Sequence, residues 1–211
     1  MNDLHRHKIL LVDDEPVVRH ALGMVMKKIG YDVSTAADGY DALAQLRRTV
    51  PDIVISDLNM PRMSGFELFR IVRVRFPHIP LIAMSGAYDF SDHFPGGLIV
   101  DAVYPKGICR FTELEQIVAD LIRATAPHAN LPTCEPSQLQ VPVFGNESGG
   151  ELSIRLTCIE CLRTFSFEFK QDVRMETQKA HCPFCAAPVR YVIRPLGAML
   201  RKVFEAKKAV L

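Results

Sequence analysis

The sequence has almost no excess of charge of either sign. Over 211 residues, 25 Lys/Arg stand against 24 Asp/Glu, a formal net charge of +1. That excludes a general attraction to nucleic acid or to membrane surfaces and leaves room only for local patches. Long hydrophobic runs are missing as well. The opening "MNDLHRHKILLVDDEP" is basic and then apolar, but its apolar run, Ile9–Val12, stops at two aspartates. It is too short for a signal-peptide core. No stretch approaches the roughly 18 apolar residues that cross a bilayer. The expectation is a cytoplasmic protein with no membrane segment. No repeat spans the chain, and nothing resembles a helix-turn-helix. Cysteine is scarce, with six in all: Cys109, Cys134, Cys158, Cys161, Cys182 and Cys185. An even number could mean disulfides in a secreted protein, whereas paired C-x-x-C spacing in a cytosolic chain points to metal.

What is present suffices for a core. The chain is 48% hydrophobic and 23% charged, within the range of globular proteins. From Lys8 to about Arg123, short apolar runs alternate with helical periodicity. Ile9–Val12, Ile53–Ser56 and Leu81–Met84 read as strands buried on both faces. Tyr31–Thr35 and Ala102–Tyr104 are further strands. Between them, Glu15–Ile29, Asp38–Arg48 and Phe66–Val74 carry apolar residues at helical spacing. Thr112 is placed to cap a last helix over Glu113–Arg123. Five alternations predict an α/β domain, a parallel sheet with helices on both faces. The fourth helix is expected to be short or irregular, because Pro95-Gly96-Gly97 interrupts its segment.

In an open parallel sheet, ligands gather beyond the carboxyl ends of the strands. After the first strand come Asp13 and Asp14. Asp57 ends the third, Ser85 follows the fourth, and Lys106 follows the fifth. Three converging carboxylates repel unless a divalent cation joins them, and hard oxygen ligands suit Mg2+. A carboxylate can attack phosphorus to form an aspartyl phosphate. A lysine and a hydroxyl can hold the phosphoryl oxygens. In order, "ILLVDDEP", "DIVISDLNMPRMSGFEL", "LIAMSGA" and "VYPKG" resemble the receiver domain of two-component response regulators, over about residues 6–125. The resemblance implies a flavodoxin-like, doubly wound, five-stranded sheet. It implies that Asp57 accepts a phosphoryl group from a histidine kinase or phosphotransfer protein. It also implies Mg2+ binding by the side chains of Asp14 and Asp57, by the Asn59 carbonyl, and by Asp13 through water. Ser85 would be the switch hydroxyl and Lys106 the phosphate partner, while Pro61 and Gly65 match the loop after Asp57.

Two departures concern signalling. Gly107 stands where the family usually has a proline after the lysine, so that bond should be trans. The usual switch aromatic lies three residues before the lysine, where this chain has Val103. Tyr104 is one residue later and therefore on the opposite face of the strand. With the break at 95–97, this predicts an altered switch with less Ser–Tyr coupling.

Residues 126–150 read as a linker of mixed stiffness, with Pro127, Pro132, Pro136, Pro142 and a terminal "GNESGG", in which Val141–Phe144 is a candidate to pack on a domain. Beyond it, "LSIRLTC", "TFSFEF" and "VRYVI" read as short strands. "TCIEC" and "HCPFC" supply Cys158, Cys161, Cys182 and Cys185, two pairs separated by twenty residues. That spacing is a strong Zn2+ signal, four thiolates closing a tetrahedral site with no open position for catalysis. Iron is the minor alternative, and His181 is a rival ligand that a complete cysteine set does not need. About 45 residues bury too little to fold well alone, so metal is expected to contribute. The predicted second domain is thus a small β-rich, zinc-ribbon-like module over 151–194. A basic amphipathic helix over 195–211 follows; it packs on a domain, docks on a partner or makes a homodimer. Residues 151–211 carry eleven Lys/Arg against six Asp/Glu. The favoured output is a protein-interaction adaptor. A DNA-binding transcriptional regulator is the alternative, and a phosphate sink a weaker one. Cys109 and Cys134 lack paired spacing and read as ordinary thiols. The whole reads as a binding switch, not a turnover enzyme.

Overall fold

A computed structural model describes residues 7–86, 100–107, 110–124, 139–141, 143–145, 152–169 and 177–193. The chain separates into two compact units, residues 1–134 and 135–211. The segment expected to hold the irregular fourth helix, the C-terminal helix, Cys109 and Cys134 lie outside the described residues.

In the first unit, β1 (Lys8–Val12), β2 (Asp32–Ala36), β3 (Ile53–Asp57), β4 (Leu81–Ser85) and β5 (Ala102–Pro105) form one parallel sheet in the order β2-β1-β3-β4-β5. The order reverses between β1 and β3, which opens a crevice at their carboxyl ends. α1 (Pro16–Lys28), α2 (Gly39–Leu46), α3 (Gly65–Arg75) and α4 (Phe111–Arg123) are the described helices. Ile9 to Val12, Ile53 to Ile55 and Leu81 to Met84 are almost wholly buried, as all-apolar runs under two helical layers must be. One face gathers Ile9, Leu11, Ile53, Ile55, Ile82 and Met84 with Met26 of α1 and with Leu114 and Val118 of α4. α2 and α3 pack on each other and bury Leu43, Leu46, Leu68, Phe69 and Val72. Right-handed crossovers put that pair over the opposite face. Each such side chain contributes about 1.5–3 kcal/mol by leaving water.

Helix ends follow local chemistry. Asp38 caps α2, its carboxylate accepting from the Asp41 amide at 2.9 Å. Ser64 and Glu67 form a reciprocal capping box at the start of α3. α4 begins at Phe111, before the expected Thr112 cap. Glu113 instead reaches back to the Arg110 amide.

A buried ion pair ties α3 to the sheet. Arg73 is 4% exposed, and its Nη2 lies 2.7 Å from Asp101 Oδ2, which also accepts from the Leu81 amide at 2.7 Å. Arg73 Nη1 donates to the Pro77 and Ile79 carbonyls. Asp101→Asn removes this counter-charge from the buried guanidinium. We expect it to cost about 3 kcal/mol, read as a lower urea midpoint at unchanged m-value.

The second unit is built from two antiparallel hairpins, β8 (Leu152–Thr157) with β9 (Thr164–Phe169), and β10 (Gln178–His181) with β11 (Pro188–Ile193). Ile154, Leu156, Ala180, Val189 and Tyr191 make its core, with Phe165 and Phe167 packed against them. The rings of Phe167 and Tyr191 are 5.8 Å apart. Within residues 126–150, β6 (Leu139–Val141) adds to β11 and β7 (Val143–Gly145) adds to β8. The sheets are therefore β10-β11-β6 and β7-β8-β9.

Candidate functional site

The acid pocket lies where the sheet order reverses. β1 ends into Asp13 and Asp14, β3 ends at Asp57, and oxygens of all three carboxylates lie within 4.8 Å of one another. Asp13 is fully buried and Asp14 exposed. β5 delivers Lys106, whose Nζ sits 2.7 Å from Asp13 Oδ2 and 2.6 Å from Asp57 Oδ2. Burial opposes the charge on Lys106, but hydrogen bonds and the field of the two aspartates outweigh it. Its pKa therefore stands above the ordinary lysine value. The amine relieves part of the carboxylate repulsion. Three carboxylates against one ammonium still leave an anionic pocket that fits a hard divalent cation.

The surrounding loops hold this geometry. The Glu15 amide donates to Asp13 Oδ1 at 2.9 Å, and Arg19 donates to the Asp13 carbonyl. The Asn59 amide donates to Asp57 Oδ1 at 3.1 Å. Gly65 sits so close to Asp57 that an added Cβ would lie 2.0 Å from the Asp57 carbonyl oxygen. Only glycine lets α3 start there. Ser85, buried at the end of β4, accepts from the Lys106 amide through its carbonyl at 2.8 Å. The structure thus brings Asp13, Asp14, Asp57, Asn59, Ser85 and Lys106 to one edge.

Sequence reasoning missed the pairing of Arg62 with the buried Asp38. Arg62 stands at φ 68°, and the Met63 carbonyl accepts from the Gly39 amide at 3.3 Å. These contacts fasten the loop after Asp57 to the start of α2. No local motif marks such a pair; an arginine in the left-handed region is visible only in the fold.

Tyr104 pairs with Met84 and is buried among Met84, Leu114 and Val118. Val103 pairs with Ala83, in the register that Ser85 shares with Pro105. The aromatic therefore faces away from the Ser85 side. The Lys106–Gly107 bond is trans, with Gly107 at φ 78°.

The four cysteines form a second centre. Each pair occupies the turn of one hairpin, and the two turns repeat each other. The Leu162 amide donates to the Cys158 carbonyl at 2.8 Å and the Ala186 amide to the Cys182 carbonyl at 2.9 Å. Leu162 and Ala186 stand at φ 54° and 60°, equivalent left-handed positions just after the second cysteine. Sγ of Cys158 and Cys185 are 3.6 Å apart, as are those of Cys161 and Cys182, and all four sulfurs lie within 4.8 Å. A disulfide needs about 2.05 Å. A tetrahedron with metal–sulfur bonds of about 2.3 Å has edges near 3.8 Å. The sulfur set fits a tetrahedral metal.

Backbone amides of Glu160 and Cys161 point at the Cys158 sulfur, and those of Phe184 and Cys185 at Cys182. Burial pushes the Cys158 thiol up to about 12. At Cys182 burial acts the same way, but the two amides and neighbouring thiols prevail and bring it down to about 7. His181 is exposed and is not among the clustered ligand atoms. Arg163 stacks over the half-exposed Phe184 ring at 5.1 Å, bridging the two turns.

Comparison with known proteins agrees with the first unit. Residues 9–102 match the response regulator receiver domain. The "Probable transcriptional regulator ycf27" of Porphyridium aerugineum is 37% identical over 138 residues, 61% of this chain and 55% of that protein. Protein PilG of Pseudomonas aeruginosa is 33% identical over 94 residues, 44% of this chain and 70% of PilG. The crystal structure of response regulator TrrA from Thermotoga maritima, in complex with Mg2+ and BeF, is 31% identical with a TM-score of 0.50; the match covers 55% of this chain and 98% of TrrA. The chain spans about half the length of the ycf27 protein. The matched family lies within the first unit, and no helix among the described residues is long and apolar enough to cross a membrane. With its sheet order, its receiver match and a third of positions shared across most of PilG, this chain belongs to the response regulator receiver family.

Proposed function

We propose that this protein is a phosphorylation-controlled binding switch, with Asp57 as acceptor. The observation that carries this is the pocket itself: Asp57 at the end of β3, Lys106 at 2.6 Å, and Asp13 and Asp14 within reach of one cation. Receiver domains take phosphoryl groups from histidine kinases, and the donor here would be such a kinase or a phosphotransfer protein. An Asp57 carboxylate oxygen attacks phosphorus, the phosphoryl group leaves the donor's phosphohistidine nitrogen, and an aspartyl phosphate forms. Lys106 and the Ser85 hydroxyl meet the phosphoryl oxygens, and Lys106 separates from Asp57 as they arrive. Asp14, Asp57 and the Asn59 carbonyl, with Asp13 through water, would hold Mg2+. That ion supplies charge neutralisation between the carboxylate and the incoming phosphoryl group. Transfer of a phosphoryl group to wild type but not to Asp57→Asn tests the assignment.

The second unit is the output module, a zinc-ribbon-like fold whose Cys158, Cys161, Cys182 and Cys185 hold Zn2+. Four sulfurs leave no open coordination position, so the metal supports structure, not turnover. We favour a protein-contact adaptor. Among the described strands, Arg155 lies opposite Ser166 in one sheet, and Lys179 opposite Arg190 in the other. The basic side chains of these described strands are thus divided between two sheets. Capture of a partner by immobilised protein in the presence of beryllofluoride, and its loss without it, supports the adaptor. Salt-dependent binding of duplex DNA by the full chain would overturn it in favour of a transcriptional regulator, the role in the name of the ycf27 relative. The Ser85–aromatic coupling is expected to be weaker in this switch, because Tyr104 packs in the core on the other face of β5.

A further inference from the structure

Residues 139–145 belong to the four-cysteine unit. β6 pairs in parallel with β11, from Leu139 opposite Tyr191 to Val141 opposite Ile193. β7 pairs antiparallel with β8, from Val143 opposite Ile154 to Gly145 opposite Leu152. β8 runs directly into Cys158, and β11 begins at Pro188, after Cys185, Ala186 and Ala187. The added segment thus grips the two strands that connect the cysteine turns to the rest of the unit. Among the described residues the hairpins share no strand pairing with each other, since their sheets are separate. Among the described residues they are joined by a small core, by the meeting of four sulfurs, and by the pairing of β6 with β11 and of β7 with β8.

The segment cannot hold that position alone. Each strand is three residues long, and Pro142 between them brings no amide donor. Strands this short form only on partners already in place. The placement of β8 relative to β11 is fixed where their turns would share an ion. We infer that metal bound by Cys158, Cys161, Cys182 and Cys185 folds residues 139–145 onto both sheets, so that metal loss releases this segment. The inference rests on the zinc reading of the four cysteines. Linkage makes it reciprocal: the paired segment also retains the metal.

The test uses the full chain. Zinc content is measured by elemental analysis, and amide hydrogen exchange is followed by mass spectrometry before and after chelation. With zinc bound, amides in 139–145 are expected to be protected together with those of 152–157 and 188–193. After chelation, exchange in 139–145 should be at least about ten-fold faster. In a second arm, Phe144→Pro puts a proline in the middle of β7, disfavours the strand, and should speed zinc transfer to a competing chelator by about ten-fold. A protein that binds no zinc overturns the zinc reading and the inference with it. A protein that binds and releases zinc while exchange in 139–145 stays the same overturns the inference alone.

Discussion

Asp57→Asn should end phosphorylation from a small acyl phosphate donor in Mg2+, with the wild type gaining one phosphoryl group by intact mass and the variant none. The amide keeps the size and most hydrogen-bonding geometry of the side chain but is no nucleophile. Loss of a nucleophile typically costs roughly a thousand-fold or more, with only residual background chemistry left. Asp13 and Asp14 do not replace it. Asp13 is fully buried and already engaged by the Glu15 amide and Lys106. Asp14 is exposed, on the first residue after Asp13 and not at the end of β3. The variant is expected to fold as well as wild type. It removes one of three clustered carboxylates, and Lys106 keeps Asp13 as partner at 2.7 Å. A fold intact by circular dichroism therefore makes the loss a chemical one. Full phosphorylation of Asp57→Asn, mapped to another carboxylate, would remove Asp57 from its assigned role.

The receiver was legible because its physics is local and repeated. Buried runs such as Ile53–Ile55 are strands because nothing polar interrupts them. The ligand edge follows from which residue comes next after each run. Gly65 is readable as part of a motif, but its reason, a carbonyl where a Cβ would sit, appears only in three dimensions. Arg73 and Asp101 are 28 positions apart, and no spacing rule links them. β6 and β7 were only partly legible: Val141–Phe144 offered a stretch to pack, but not its strand pairing. A proline-containing stretch reads as linker, and these strands exist only because β11 and β8 offer edges. The cysteine spacing was readable, whereas the left-handed residues after each pair were not, because leucine and alanine do not advertise that conformation.

Cys158→Ser, or chelation of the wild type, should unfold the second unit while the first keeps its acid pocket. The reason is size. The core of this unit is a handful of side chains around Ile154, Leu156, Val189 and Tyr191, too few to offset chain entropy in a module this small. Structural Zn2+ in small modules binds with about 10–16 kcal/mol of apparent free energy, which becomes folding free energy when no site exists in the unfolded chain. Both cysteine turns also hold a non-glycine residue in the left-handed region, a cost of roughly 1–2 kcal/mol each. Without metal, sulfurs set at 3.6 Å have only weak thiol contacts to keep them there. The measurement is two-dimensional amide NMR of the full chain. Resonances of 152–169 and 177–193 should collapse to unfolded positions on zinc removal, and those of 7–86 should stay. Serine retains a hydroxyl near the sulfur position but is a far poorer metal ligand than thiolate. If Cys158→Ser keeps the second unit's native spectrum in the presence of chelator, the unit folds on its own core and the sulfurs are not its fastening.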